Sequence, residues 1–288
     1  METWFWILGW SLSLLTIAGN GFIVFLVCSK RQLRTKTNAF VVSLALADFC
    51  VGISVVPPMF FCEMSTGCSL QSYWISFARW SSGYASVISL CILVLDRYIA
   101  VVKPLKYLTV MTRRRVIQTV SIAWGFLVFY RTFCALKKLF FEVVVLHFVF
   151  WFDAIILEFL PCLILIFCFA SMLHIVCKHH RASRTTAKQL RFNHHRALFK
   201  IRLKSAAAVK LTAVVIGVFL LCYGFYIRCS FVHILNEGKC NDEEYKIPLL
   251  VLNSAINPLV YAFLKRDIKR RLKNYLSAAA EAGQTNFC

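Results

Sequence analysis

Apolar residues along this chain fall into seven long runs that are separated by short polar segments. Each run has roughly the 20 residues that an α-helix needs to cross the hydrocarbon core of a bilayer. The runs lack the short apolar and polar alternation of membrane-barrel strands, so helices are predicted. The predicted spans are 4–28, 38–62, 72–99, 115–136, 142–177, 206–234 and 246–264.

The composition also indicates a membrane protein. Hydrophobic residues make up 59% of the 288 residues and charged residues 16%, against about 45–50% and 25% in soluble domains. We therefore predict an all-α membrane protein, with one seven-transmembrane helix bundle over residues 1–288. The fifth run is longer than one crossing requires, so we expect it to tilt or to extend beyond the bilayer as a helix.

Basic residues concentrate in alternate connections, at 30–36, 103–115, 178–210 and 265–273, and the net charge is +20. By the positive-inside rule these segments and the C-terminus are cytoplasmic and the N-terminus is outside. The charge then reflects topology and attraction to anionic membrane lipids, so we expect no nucleic-acid partner. Residues 265–276 alternate apolar and basic positions at helical spacing, which predicts an amphipathic helix on the inner leaflet.

The third run ends in an acid, a guanidinium and a phenol: Asp96, Arg97 and Tyr98. A charged pair at the end of a spanning helix is costly unless it is used, so it indicates a functional site. The alternative is an interfacial arginine whose head group reaches the lipid surface beside an unrelated acid.

Several polar side chains lie inside the runs. A carboxylate, hydroxyls and amides of this kind could coordinate a hard monovalent cation, or they could form an ordinary interhelical hydrogen-bond network. The residues concerned are Asp48, Ser86, Asn253, Ser254 and Asn257. Pro258 removes a backbone hydrogen bond and should kink the seventh helix beside Asn257.

Taken in order, these residues resemble the motif set of class A (rhodopsin-like) G-protein-coupled receptors. The shared features are GN at 19–20, LxxAD ending at Asp48, DRY at 96–98, Trp124, Pro161 and NPLVY at 257–261. The wording is most similar to the biogenic-amine, trace-amine and adenosine branch. The resemblance implies a plasma-membrane receptor and not an enzyme, which binds an extracellular small molecule and activates a heterotrimeric G protein.

The resemblance also implies roles for single residues. Arg97 would pair with Asp96 at rest and turn toward the G protein and Tyr261 in the active state. Pro258 and Tyr261 would be the moving part of the seventh helix. The polar set around Asp48 matches the family's sodium pocket, so an allosteric sodium ion is the one cofactor to consider.

The chain departs from the family pattern in its sixth and fifth helices. Cys222-Tyr223-Gly224-Phe225 stands where the family has Cys-Trp-x-Pro, so Tyr223 replaces the Trp and Phe225 the Pro. Ser205 stands where many members have an acid, and Phe169 replaces a Tyr. Ser72 replaces the usual outer disulfide cysteine. Substitute bridges could involve Cys62, Cys68, Cys134 and Cys240, with the pairing open. These changes keep a non-signalling or constitutively active homologue as an alternative, and a transporter as a more distant one.

The expected ligand pocket contains Arg79, Gly83, Asp153 and Tyr223. Arg79 lies five helical turns before Arg97, so both should face the bundle interior. In amine receptors of the family an Asp at this place pairs with the ligand ammonium, a role that Arg79 cannot take. Arg79 would bind a carboxylate or phosphate of the ligand, or it would pair internally with Asp153. The first case predicts an acidic ligand, and the second a small neutral or zwitterionic one.

Overall fold

The computed structural model describes residues 2–65, 73–140, 151–186, 194–234, 243–265 and 267–270. Seven of the helices in these ranges are long and apolar enough to cross a membrane. The predicted all-α, seven-helix membrane architecture is therefore confirmed.

The seven spans are formed by nine regular segments. The first span is Thr3–Ser29, the second Lys36–Ser54 with Val56–Met64, the third Tyr73–Val102 and the fourth Arg113–Phe140; the fifth is a π-helix, Asp153–Phe159, continued by Leu160–Thr186, the sixth is His194–Ile234 and the seventh Glu243–Leu264. A 3-10 turn, Arg31–Leu33, links the first and second spans, and a short helix, Pro104–Val110, links the third and fourth. Both lie on the same side of the bundle.

The second span is interrupted at Val55, which the hydrophobic pattern does not reveal. Pro57 and Pro58 follow directly, and proline has no backbone N–H and clashes with the carbonyl one turn earlier. The helix therefore ends at Ser54 and restarts at Val56.

The fifth helix extends past its apolar run, as expected from the length of that run, and the described parts of the basic segment 178–210 are helical. The fifth helix continues to Thr186 and the sixth begins at His194. The segment contains no Gly or Pro and is rich in Lys, Arg and Ala, which are good helix formers. The charged residues therefore mark where the apolar runs end, but the fifth and sixth helices continue through them. Residues 187–193 lie outside the described part of the chain.

Two further predictions fall largely outside the described residues. The start of the predicted fifth span, 142–150, is one of them. Of the predicted amphipathic helix 265–276, the structure describes residue 265 and residues 267–270, which are helical. Within this turn Ile268 is buried in the main core.

The third span is the centre of the bundle, because it contacts the second, fourth, fifth and sixth spans. The first span packs against the second and seventh, and the seventh also packs against the sixth. The fourth span is peripheral, because only 6% of the residues in its most apolar stretch are buried inside the bundle. We call the end that carries 30–36 and 103–112 the basic end, and the opposite end the far end.

The main core lies where the spans converge around Leu26, Phe40, Leu90, Phe219 and Tyr261. Large apolar side chains also cover the perimeter, with Ile7 66% exposed and Phe167 62% exposed. In water such a surface would be unfavourable over so large an area, whereas in lipid it is the expected exterior of a bundle.

Candidate functional site

Asp96 and Arg97 form an ion pair at the basic end of the third span. Arg97 Nη2 lies 2.8 Å from Asp96 Oδ2, with the Asp96 side chain fully buried and that of Arg97 19% exposed. The other carboxylate oxygen, Oδ1, accepts a hydrogen bond of 3.0 Å from the Tyr107 hydroxyl. Asp96 is therefore held from two sides, by the next residue on its own helix and by a residue of the following connection.

Tyr107 extends this contact to the second span. Thr37 Oγ1 lies 3.3 Å from the Tyr107 hydroxyl, and because the phenol donates to Asp96, Thr37 is the donor to the phenol oxygen. Burial raises the pKa of Tyr107, and the nearby Asp96 charge raises it further, while the Thr37 bond and Arg97 lower it. The phenol thus keeps its proton at physiological pH and remains a donor.

Two buried donors beside this pair make no hydrogen bond among the described residues. They are Arg97 Nε and the Tyr261 hydroxyl. Tyr261 is fully buried in the main core. Unsatisfied buried donors are unusual and disfavour the arrangement that contains them. A rearrangement of the seventh span that supplied them with partners would recover that free energy.

Tyr98, the third member of the DRY triplet, faces the fifth span. Its ring centroid lies 6.2 Å from that of Phe167, and its side chain is half-buried. It therefore packs at the edge of the bundle, apart from the polar contacts of Asp96 and Arg97.

Asp48 lies at the middle of the bundle, where the second, third and seventh spans meet. Ser86 Oγ donates to its Oδ1 at 2.6 Å, and Asn257 Nδ2 donates to its Oδ2 at 2.8 Å. Asp48 is fully buried, and Ser254 and Asn253 of the seventh span are buried too. The structure therefore brings Ser86, Ser254 and Asn257 of the predicted polar set to Asp48.

The Asp48 region has the oxygen chemistry that a sodium ion requires. Within the described residues no three His, Cys, Asp or Glu side chains are placed to hold a metal, so an ion would be held by one carboxylate and neutral oxygens. Ser254 Oγ is buried next to Asp48 and makes no hydrogen bond within 3.5 Å among the described residues, so this oxygen could serve as a ligand. Hard cations take such oxygen sets. The residues present thus fit a monovalent cation.

The GN pair fixes the first span against the seventh. A side chain at position 19 would place a Cβ 3.0 Å from Pro258 Cγ, so a larger residue would push the two helices slightly apart. The neighbouring Asn20 Nδ2 donates to the Ser254 carbonyl at 3.1 Å and to the Thr16 carbonyl at 3.0 Å. Asn20 therefore binds a carbonyl near the Pro258 kink, where the helix has lost one of its own hydrogen bonds.

At the far end, Asp153 pairs with Arg131 of the fourth span and not with Arg79. Arg131 Nη1 lies 3.8 Å from Asp153 Oδ2, and the Tyr130 hydroxyl donates to Oδ1 at 2.6 Å. Of the two alternatives considered for Arg79, the internal pair with Asp153 is therefore not the one that the described residues form. The physical reason is that Arg131 and Tyr130, on adjacent positions of the fourth span, both reach the start of the fifth.

Arg131 is also enclosed by aromatic rings. Its guanidinium carbon lies 5.8 Å from the ring centre of Phe77 and 5.7 Å from that of Tyr84, distances typical of cation–π contacts. Tyr84 in turn donates a long hydrogen bond of 3.5 Å to Glu158 Oε1. The third, fourth and fifth spans are thus joined at the far end by two acids and one arginine.

The other predicted pocket residues take separate places. Arg79 Nη1 contacts Met59 Sδ at 3.9 Å, and its guanidinium carbon lies 5.8 Å from the Trp80 ring centre. A Cβ built on Gly83 would meet only Leu250, at 4.0 Å, so there is space toward the seventh span. Tyr223 is buried and stacks on Phe219, with ring centres 4.6 Å apart.

The cysteines at the far end differ from the expected bridges in two respects. Cys134 is a free thiol, whereas Cys62 and Cys229 each take part in a disulfide bond. Cys68 and Cys240 lie outside the described residues. Participation of Cys229, within the sixth apolar run, was not predicted.

Three residues of these networks were missed in the sequence: Tyr107, Arg131 and Glu158. A signal existed for Arg131 and Glu158, since each is a charged residue within an apolar run, where a partner or a function is expected. Tyr107 lies in a polar connection, where nothing in the local pattern distinguishes it.

Comparison with known proteins agrees with the fold and with the motif order. Residues 19–261 match the family described as 7 transmembrane receptor (rhodopsin family). The chain is 26% identical to an octopamine receptor beta-2R of Chilo suppressalis, over 92% of this chain and 78% of the relative. It is 25% identical to the adenosine receptor A2b of Homo sapiens, over 94% and 90% of the two chains, and 29% identical to a histamine H2 receptor of Canis lupus familiaris, over 90% and 75%.

The chain belongs to the rhodopsin family of seven-transmembrane receptors. It is a divergent class A G-protein-coupled receptor of the biogenic-amine and adenosine branch, a multi-pass membrane protein and not an enzyme.

Proposed function

We propose that this chain is a plasma-membrane receptor that binds an extracellular small molecule and activates a heterotrimeric G protein by rearrangement around Arg97. The observation that carries the proposal is the closed contact set at the basic end. Arg97 is paired with Asp96, Tyr107 holds the same carboxylate, and the buried Tyr261 hydroxyl has no hydrogen-bond partner in the described part of the chain. This is a resting arrangement with an unsatisfied group that a second state can satisfy.

The proposal requires the basic end to face the cytosol. The exposed Lys and Arg of the first two connections at this end, among them Lys30, Arg31, Lys103 and Lys106, support that orientation through the positive-inside rule. Independent support comes from the far end, where Cys62 and Cys229 are disulfide-bonded. Disulfides persist in oxidising compartments and are rare in the cytosol.

The ligand class is supported by the relatives. The names of three of them specify octopamine, adenosine and histamine receptors, and all three ligands are small molecules. The ligand site proposed here lies at the far end between Gly83, where there is space, and Tyr223. Asp153 is already paired with Arg131, so we propose it as a structural support of the site.

We further propose a sodium ion at Asp48 as a modulator of the resting state. The ion would be held by the Asp48 carboxylate with oxygens of Ser86, Ser254, Asn253 and Asn257. It would supply a positive charge to a buried carboxylate that accepts hydrogen bonds from the neutral Ser86 and Asn257. The cost of burying that charge is then offset in the resting state.

A second candidate, a receptor homologue that is constitutively active or does not signal, is favoured by the sixth span. Tyr223 and Phe225 stand where the family has Trp and Pro, so this helix lacks the proline kink. Ser205 offers no acid to hold Arg97 from this side, which predicts raised basal activity. The biosensor experiment described next separates the proposed receptor from a homologue that does not signal.

The test is a panel of G-protein activation biosensors covering all major G-protein classes, in cells that express wild-type or variant receptor at equal surface density. We expect wild type to activate at least one class, with basal signal above mock-transfected cells, and Arg97→Ala to abolish the signal. Arg114→Ala, which removes an exposed arginine at the same end, is the matched control and should retain it. No signal from any class, with a broad small-molecule library added, would favour the non-signalling homologue.

A further inference from the structure

Lys265 directly follows the seventh helix, which ends at Leu264, and its side chain connects the seventh span to the second. Its Nζ donates a hydrogen bond to Asn38 Oδ1. Its backbone N–H donates to the Tyr261 carbonyl at 3.0 Å, so the ammonium lies one helical turn beyond Tyr261. A contact made here acts directly on the part of the seventh span that carries Tyr261.

Asn38 is a firmly held acceptor. It is 1% exposed, and its own Nδ2 donates to the Leu33 carbonyl at 2.6 Å. Its backbone N–H donates to Thr35 Oγ1 at 3.2 Å, which caps the second span. Because the amide is fixed by the Leu33 bond, Asn38 Oδ1 presents a defined position to the seventh span.

The surroundings of Lys265 disfavour its charge. Burial lowers the pKa of Lys265 to about 7; Arg97 lowers it as well, while Asp267 and Asp96 raise it. The third span thus presents one charge of each sign and the second span presents the neutral Asn38. Asp267, the acid on the same terminal turn, is exposed to solvent and compensates the charge only in part.

We propose that Lys265 and Asn38 form a latch that holds the basic end of the seventh span against the second span in the resting receptor. Release of the latch frees Tyr261 to move toward Arg97. Lys265 is thus a positioning residue for the switch. The latch itself stands on the geometry above, and its effect on signalling rests on the proposed function.

The lowered pKa of Lys265 determines how the stability of the closed latch changes with pH. In the closed state the pKa of Lys265 is about 7, below the ordinary value of about 10.4 that the side chain regains in water. The closed state therefore binds fewer protons than the open or unfolded state above about pH 7. Its relative stability rises with pH in that range and is unaffected by this group well below pH 7. Low pH therefore favours opening of the Lys265–Asn38 contact, because the protonated Lys265 is better solvated in water than in the closed site.

The first experiment needs no G protein. The thermal midpoint of purified receptor is measured at pH 6 and pH 8 for wild type, Lys265→Met and Lys269→Met. We expect wild type to gain about 2–4 °C more than Lys265→Met over this interval. Lys269, on the next turn, is exposed, so Lys269→Met should follow wild type. Equal pH slopes in wild type and Lys265→Met would overturn the latch.

The second experiment measures basal nucleotide exchange on added G protein in washed membranes. Asn38→Leu removes the acceptor and leaves the ammonium buried, so we expect basal exchange to rise several-fold, with Lys269→Met unchanged. It also separates the two proposals. A Lys265-dependent pH slope without any exchange supports the latch and contradicts G-protein coupling. Exchange that is the same in Asn38→Leu and wild type contradicts the latch as a control of signalling.

Discussion

The two ends of this bundle treat buried charge in different ways. At the basic end, Asp96 and Arg97 are neighbours on one helix, and their outer contacts are single hydrogen bonds from groups such as Tyr107. At the far end, Arg131 and Asp153 pair between two different spans and are enclosed by aromatic rings. A pair within one helix can open without separating any helices, whereas a pair between helices holds them together. Under the proposed function, the basic end is therefore the moving part of the receptor and the far end is its frame.

The largest expected effect tests the frame. Asp153→Ala leaves Arg131 at the far end without its acid, and breaking such a pair by removing one partner is strongly destabilising. Because both side chains are slightly exposed, we expect a loss of about 2–3 kcal/mol in the free energy of unfolding. Thermal unfolding of the solubilised receptor measures it.

The matched control for this change is the double variant Arg131→Met with Asp153→Leu, which removes both charges and keeps the volume. Replacing a buried pair with apolar residues is often close to neutral, so the double variant should recover most of the lost stability. A double variant as unstable as Asp153→Ala would show that the pair is not the cause.

An intermediate effect tests the middle of the bundle. If sodium binds at Asp48, sodium chloride at tenfold over the dissociation constant should stabilise wild type by about 1.4 kcal/mol. Potassium chloride at equal ionic strength should not. Asp48→Asn removes the charge that attracts the ion, and its thermal midpoint should respond equally to both salts. A sodium-specific shift that persists in Asp48→Asn would place the ion elsewhere.

A smaller effect is expected for the outer contacts of the switch. Tyr107→Phe removes the donor to Asp96 and the bond to Thr37. A net loss of about 1 kcal/mol from the resting state should raise basal G-protein activation by roughly fivefold. Thr37→Val removes only the bond to the Tyr107 hydroxyl and should have a smaller effect. Basal activation that falls in Tyr107→Phe would mean that the tyrosine supports the active state.

The same contrast explains what could be predicted from the sequence. The seven spans follow from hydrophobic run length, and the grouping of Asp48, Ser86 and Asn257 follows from family motifs at fixed positions. The sequence could not show that Asp153 pairs with Arg131 and not with Arg79. Helix periodicity indicates which face of a helix a residue occupies, but it does not indicate which neighbouring span that residue reaches. The roles of Tyr107 and Lys265 depend on how connections and helix ends fold onto the second span, and no local pattern encodes that.

The breaks and extensions of the helices carry a similar lesson. Hydropathy detects where lipid contact ends, which differs from where hydrogen bonding within a helix ends. The interruption at Val55 follows from the two prolines after it, which an apolar run conceals. The continuation to Thr186 follows from helix-forming residues that hydropathy scores as a loop.

The central claim is that the basic end is a working switch for G-protein activation centred on Arg97. The most direct measurement is nucleotide exchange on purified G proteins, one of each major class, by purified receptor in lipid nanodiscs. We predict that wild type accelerates exchange on at least one of them and that Arg97→Ala, folded to the same thermal midpoint, does not. Equal exchange by wild type and Arg97→Ala would contradict the account.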